Sequence, residues 1–288
     1  MTLTRPWLAA PRLTMLLAGG LSATGFAPLG LWPLALVCLA ILFAGIDAAP
    51  NRRSAFVRGW LFGLGQFTIG LNWIATAFTF QAAMPAWLGW IAIVLLSLYL
   101  AVYPGLAALI AYRIAGQGRH RRAILVLSLA GGWIVTEWMR AWVISGFAWN
   151  PLGVMLVDYG WAARWIGTYG LGALVIMLAG GLFLAARRDF VAAAIMMLVP
   201  VSISGLAATI GAPTLRPEAK SIAITVVQPN ISQADKWEDG FREENFARLA
   251  RETLRADTGT PRLVFWPEAA IPDYIEDGYP PRYTYPDT

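Results

Sequence analysis

The sequence holds a single cysteine, a single histidine and only two lysines in 288 residues. One cysteine cannot form a disulfide within the chain, and Cys38 with His120 cannot assemble a four-ligand metal centre. Cys38 sits in the apolar run 31–46, where a small thiol reads as a packing residue. His120 stands in a basic loop, which argues against a histidine-centred catalytic site. The composition calls for no metal and no cofactor. Charge is scarce as well: 14% of residues are charged and 58% hydrophobic, against about 25% and 45–50% in ordinary globular domains. A soluble core of this length has no room for so much apolar surface, whereas a bilayer does.

What charge there is divides unevenly. Residues 1–210 contain 13 arginines, no lysine and four acids (Asp47, Glu137, Asp158 and Asp189), a net of +9. Residues 211–288 contain nine basic and 13 acidic residues, a net of −4. The pI near 9.6 therefore reflects membrane loops and not a nucleic-acid-binding surface. Apolar runs of spanning length fall at roughly 7–26, 31–47, 56–79, 87–112, 123–145, 163–186 and 191–210, giving about seven transmembrane helices. No A-x-A-type cleavage site precedes the second run, so the first reads as a retained anchor.

Orientation follows from the arginines. Arg5 and Arg12 precede the first run, Arg52, Arg53 and Arg58 follow the second, Arg113 to Arg122 follow the fourth, and Arg187 and Arg188 follow the sixth. Each basic segment is two spans from the next, as the positive-inside rule requires. This puts the N-terminus in the cytoplasm, and the segments 27–30, 80–86, 146–162 and everything after 210 on the opposite face. The predicted domains are a transmembrane region over 1–212 and a soluble region over 213–288.

In the soluble region, 221–228 is β-branched and reads as a strand, and 262–266 as a second, stopped by Pro267. Between them, 240–256 sets Phe246, Leu249, Ala250, Thr253 and Leu254 on one helical face opposite a charged one. Strand, helix, strand in this span predicts a βαβ unit with parallel strands and a right-handed crossover. Ligands collect beyond the carboxyl ends of such strands. Gln228 and Asn230 follow the first and Glu268 the second, so the three converge at one sheet edge. A carboxylate beside Trp266 and a proline without an N–H suits a general base, although a single acid on spacing alone also reads as a solvated loop residue. Glu137 and Arg140, three apart near the outer end of the fifth span, read either as a paired intramembrane cap or as the lining of a lipid head-group pocket. The outer loop 146–159 is aromatic and rich in Gly and Pro, and an interfacial belt is its simplest reading.

These residues resemble the bacterial apolipoprotein N-acyltransferase family. The likeness runs in order through G-F-A-P-L-G-L-W-P-L-A (25–35), G-W-L-F-G-L-G-Q-F-T-I-G-L-N-W (59–73), E-W-M-R-A-W (137–142), G-F-A-W-N-P-L-G (146–153) and W-I-G-T-Y-G (165–170). It continues through V-V-Q-P-N-I-S-Q-A-D-K-W (226–237) and W-P-E-A-A-I-P (266–272). The resemblance implies a multi-pass bacterial inner-membrane enzyme carrying a periplasmic nitrilase-like αββα-sandwich domain, of which 213–288 is the N-terminal part. Such enzymes take an acyl chain from a phospholipid onto a cysteine thiol. They then pass it to the α-amine of a lipoprotein's N-terminal diacylglyceryl-cysteine. The superfamily triad is a Glu base, an oxyanion-stabilising Lys and a Cys nucleophile, and its glutamate falls on Glu268. The resemblance also sets Trp237 near the lipid portal, with Glu137 and Arg140 supporting its membrane side. No lysine follows Lys236 and no cysteine follows Cys38, so the expectation is a C-terminally truncated chain, inactive alone. The alternatives are a non-catalytic membrane module that binds lipid or a partner, and a small-solute transporter. A transporter calls for charges or broken helices near the bilayer midplane.

Overall fold

Apolar runs leave backbone amides no partner but their own segment, so the chain is mostly helical. The structure is a computed structural model that describes residues 11–79, 85–144, 146–210, 222–232, 239–255, 259 and 261–267. The chain divides into two compact units, Met1–Ala212 and Pro213–Thr288.

In the first unit, α1 (Pro11–Ser22) and α2 (Trp32–Asp47) each open on a first-turn proline, where a missing N–H is tolerated. Asn51 caps α3 (Arg52–Gly70) by accepting the Ser54 N–H at 2.9 Å. There follow α4 (Trp73–Thr79), α5 (Trp87–Leu100), α6 (Val102–Ala115), α7 (Arg121–Arg140), a 3₁₀ helix over Leu152–Ala162, α8 (Ala163–Ala186) and α9 (Phe190–Ile210). Among the described residues four helical stretches are long and apolar enough to cross a membrane: Trp87–Ala115, Arg121–Arg140, Leu152–Ala186 and Phe190–Ile210. Counting α3 and α4 as one bent span makes five, and α2 is a shorter apolar helix.

Three stretches depart from a uniform reading. The stretch 56–79 bends by 46° between α3 and α4. There the Ile74 N–H donates to the Leu71 carbonyl at 3.0 Å instead of to Gly70, and the freed Gly70 carbonyl accepts from Asn150 Nδ2 at 3.0 Å. The stretch 87–112 stays helical through Ala101 but loses one hydrogen bond there, because Pro104 has no N–H to offer the Leu100 carbonyl. The outer segment 146–162 is no simple loop, since its second part is the 3₁₀ helix.

α2 is the central helix, with nine of its 16 residues buried and Phe43 stacked on Phe183 of α8 at 5.7 Å. α9 is the outermost, burying only Ala193, Met196, Pro200 and Ala207, so its remaining apolar surface suits lipid. α1 and α3 interlock through glycines. A Cβ on Gly19 would lie 1.9 Å from the Phe62 carbonyl oxygen, and one on Gly65 would lie 2.1 Å from that of Leu16. Asp47, just past the core of α2, ties three segments together. It pairs with Arg121, with Arg122 at 3.2 Å and with Arg187 at 3.5 Å.

In the second unit, β1 (Ala223–Val226) and β2 (Arg262–Phe265) are parallel, with Ala223 opposite Arg262 and Val226 opposite Phe265. The helix between them, α10 (Arg242–Arg255), completes the βαβ unit. Leu249 is fully buried, whereas Leu254, expected on the same face, is 56% exposed in the last turn of α10.

Candidate functional site

Glu137 and Arg140 lie one turn apart at the C-terminal end of α7, on the face that packs against α6 and α8, and are only 5% and 2% exposed. Glu137 Oε1 accepts the Leu152 N–H at 2.9 Å and the Trp133 indole N–H at 3.4 Å, with Arg140 Nη2 at 3.5 Å. Leu152 opens the 3₁₀ helix, so this carboxylate supplies the acceptor that a helix start lacks, and puts negative charge at the favoured end. Its Oε2 has no hydrogen-bond partner among the described residues and lies beside Gly172.

Arg140 reaches the other way. Its Nη1 donates to the Trp149 carbonyl at 2.7 Å, and the guanidinium sits 5.1 Å from the centre of the Phe67 ring. Asn150, at φ +53°, holds the Gly70 carbonyl of α3, and Trp149 meets Trp73 at 5.3 Å between ring centres. The Tyr99 hydroxyl bonds that of Tyr103 at 2.7 Å and donates to the Val143 carbonyl at 3.0 Å. Positions 149, 150 and 152 are thus each pinned by a different side chain to α7 or α3.

The segment so held walls a groove of about 500 Å³ lined by Trp32, Leu156, Tyr159, Trp161, Leu171, Leu174 and Pro200, among others. Its size and apolar walls with aromatic edges are those of ligand pockets. Asn150, Trp133 and the two tyrosines were not singled out from the sequence. Only Asn150 carried a signal, as an Asn before a proline in a Gly-rich loop.

In the second unit, Val227 N–H still donates to the Phe265 carbonyl at 3.0 Å, after which both chains leave the sheet at one edge. Gln228 and Asn230 are exposed there, Asn230 at φ +52°, and Pro229 between them is buried. Trp266 leaves the same edge and turns back on α10. Its indole N–H donates to Thr253 Oγ1 at 2.9 Å, and its ring meets Phe246 edge-on at 5.9 Å. Trp237 and Glu268 lie outside the described residues.

Comparison with known proteins adds a consistent finding. Residues 18–181, more than half of the chain, match the family model described as "Apolipoprotein N-acyltransferase N-terminal domain". The chain is 35% identical to a Brucella suis biovar 1 protein named "Apolipoprotein N-acyltransferase" over 250 residues, 81% of this chain and 45% of that protein. Proteins of the same name from Methylococcus capsulatus and Ralstonia nicotianae are 31% and 33% identical, over 92% and 96% of this chain and 52% of each of theirs. The chain spans about half the length of the curated relatives it matches.

Proposed function

From the premise that this chain belongs to the apolipoprotein N-acyltransferase N-terminal-domain family, we propose that it serves phospholipid-dependent acylation of lipoprotein N-termini. The acyl donor is a membrane phospholipid, and the acceptor is the α-amine of a diacylglyceryl-cysteine. The match over 18–181 carries this reading, because it takes in the whole constellation that Glu137 and Arg140 organise.

The physical case for a membrane-embedded first unit is the donor itself. Drawing an acyl chain into water costs about 0.8 kcal/mol per CH₂, so the enzyme must meet the donor at the bilayer. The groove beside the 3₁₀ helix offers apolar walls for hydrocarbon, and the stapled segment 146–162 keeps it formed. With α1 and α2 as further short spans, the bundle crosses the inner membrane seven times. Its N-terminus is then cytoplasmic, and the second unit begins a periplasmic nitrilase-like domain.

In that domain Glu268, next in sequence after Pro267, is the general base. Gln228 and Asn230 orient substrate, and Trp237 contacts lipid. Acyl transfer of this class passes through a cysteine thioester with a lysine stabilising the tetrahedral oxyanion. Neither residue occurs after Lys236 in these 288 residues.

A chimera tests the reading: this chain joined to the C-terminal half of the Methylococcus capsulatus relative, in membranes supplied with labelled phospholipid and a diacylglyceryl-cysteine peptide. Labelled N-acyl peptide is expected, and Glu268→Ala should abolish it while membrane insertion persists. An inert chimera beside an active parent relative would overturn the proposal.

A further inference from the structure

In residues 1–210 four acids are outnumbered by 13 arginines, so some arginines go without an acidic partner. Asp47 is engaged by Arg121, Arg122 and Arg187, and Glu137 by Arg140. Asp189 faces the first turn of α9, accepting the Ala192 N–H at 3.4 Å. Arg12, Arg53 and Arg58 have no ion-pair partner among the described residues, yet all three line one pocket of about 700 Å³ where α1 and α3 begin. Arg58 is 9% exposed, donates Nη1 to the Gly45 carbonyl, and lies within electrostatic reach of Arg12. A guanidinium has five N–H donors, so most of Arg58's remain for a guest. Three like charges around one cavity repel each other until an anion separates them.

A second observation says what kind of anion. One turn further along the same pair of helices lies an apolar groove of about 580 Å³, lined by Leu16, Leu17, Gly20, Leu21, Leu64 and Thr68, among others. From Leu13, at the pocket, to its last residue Ser22, α1 climbs about 14 Å at 1.5 Å per residue. That is nearly half of the roughly 30 Å hydrocarbon thickness, close to the depth of one leaflet. We propose that the α1–α3 seam is a binding site for an anionic phospholipid, its phosphodiester held by Arg12, Arg53 and Arg58 and one acyl chain laid in the groove. The glycines that let α1 and α3 touch leave this trough between flanking leucines. The arginine pocket sits toward the opposite end of α3 from the Gly70 carbonyl that holds Asn150, with Arg53 about 26 Å away along the helix, while the apolar groove runs from there as far as Thr68. The pocket and its groove share no lining residue with the groove beside the 3₁₀ helix.

The test uses the full 288-residue chain in nanodiscs of equal phosphatidylglycerol and phosphatidylcholine content, with retained lipid counted by native mass spectrometry after extraction. An arginine near an anionic surface contributes about fivefold, so the two exposed ones together predict roughly thirtyfold retention of phosphatidylglycerol over phosphatidylcholine. Arg12→Gln with Arg53→Gln should abolish the preference, and high salt should weaken it in the unaltered chain. Unchanged preference in the double variant, or no preference in the unaltered chain, overturns the proposal. Inorganic phosphate binding as tightly in lipid-free detergent overturns the lipid assignment in favour of a soluble anion. If the double variant does not fold, the salt series and the phosphate competition on the unaltered chain decide the matter.

Discussion

Removing the charge of Glu137 while keeping its shape isolates what the buried pair contributes. In Glu137→Gln the side-chain oxygen still accepts from Leu152 and Trp133, whose bonds measure 2.9 and 3.4 Å. What is lost is the counter-charge of Arg140, itself 2% exposed. Breaking a buried pair by deleting one partner costs about 3–5 kcal/mol, chiefly because the survivor stays buried and uncompensated. Arg140 keeps the Trp149 carbonyl at 2.7 Å and the Phe67 ring at 5.1 Å, which sets Glu137→Gln at the low end, about 3 kcal/mol. Arg140→Met also sacrifices the Trp149 bond and should cost about 4 kcal/mol. The double variant strands neither charge, so it should lose about 4 kcal/mol and not the sum of about 7, a coupling near 3 kcal/mol. The assay is unfolding of the 288-residue chain in mixed micelles titrated with dodecyl sulfate, followed by tryptophan emission. Additivity within about 0.5 kcal/mol, or single losses below about 1 kcal/mol, would refute the view that the pair acts as a unit.

Further outcomes follow from the packing and the hydrogen bonds at four other positions. Gly65→Ala sets a Cβ 2.1 Å from the Leu16 carbonyl oxygen and should cost about 2 kcal/mol in the same titration. Gly205→Ala, with nothing within 4 Å, should stay within about 0.5 kcal/mol. Asn150→Gly keeps the φ of +53° and loses only the bond to Gly70, about 1 kcal/mol. Asn150→Val adds the strain of a branched residue there and should lose about 1–3 kcal/mol more. Thr253→Val removes the acceptor of the Trp266 indole N–H, and should raise the hydrogen-exchange rate of that proton several-fold, for a loss of about 1 kcal/mol.

Helices whose boundaries depend on their own residues were legible in the sequence. The run 163–186 coincides with α8, and 191–210 falls within one residue of α9, because an apolar stretch bounded by Arg187, Arg188 and Asp189 has little freedom in where it stops. The βαβ order and the parallel pairing were legible for the same reason: β-branched runs flank an amphipathic helix. Less accessible was whatever a distant residue decides. Nothing near Leu152 announces a helix start, since its acceptor is Glu137, fifteen positions earlier. The bend after Gly70 depends on Asn150, eighty positions later. The hydrogen bond missing at Leu100 is a different case, because Pro104 marks it in the sequence. Of the candidate site, Glu137 and Arg140 were visible as charges too rare in a membrane segment to be incidental. Their partners are backbone carbonyls, amides and ring faces, which no side-chain pattern encodes.

The arginine buried in α3 bears on how the protein is made. α9, apolar along its length and mostly unburied, can leave a translocation channel for lipid unaided. α3 carries Arg58, Gln66 and four glycines, and partitions poorly by itself. The acceptor for Arg58 is the Gly45 carbonyl on α2, and the surface that receives Gly65 is the backbone of α1. Both are synthesised before α3 emerges. Docking onto α1 and α2 is thus what offsets the poor partitioning of α3. A change that loosens the α1–α3 seam should appear first as failed insertion of α3, before any loss in the finished protein.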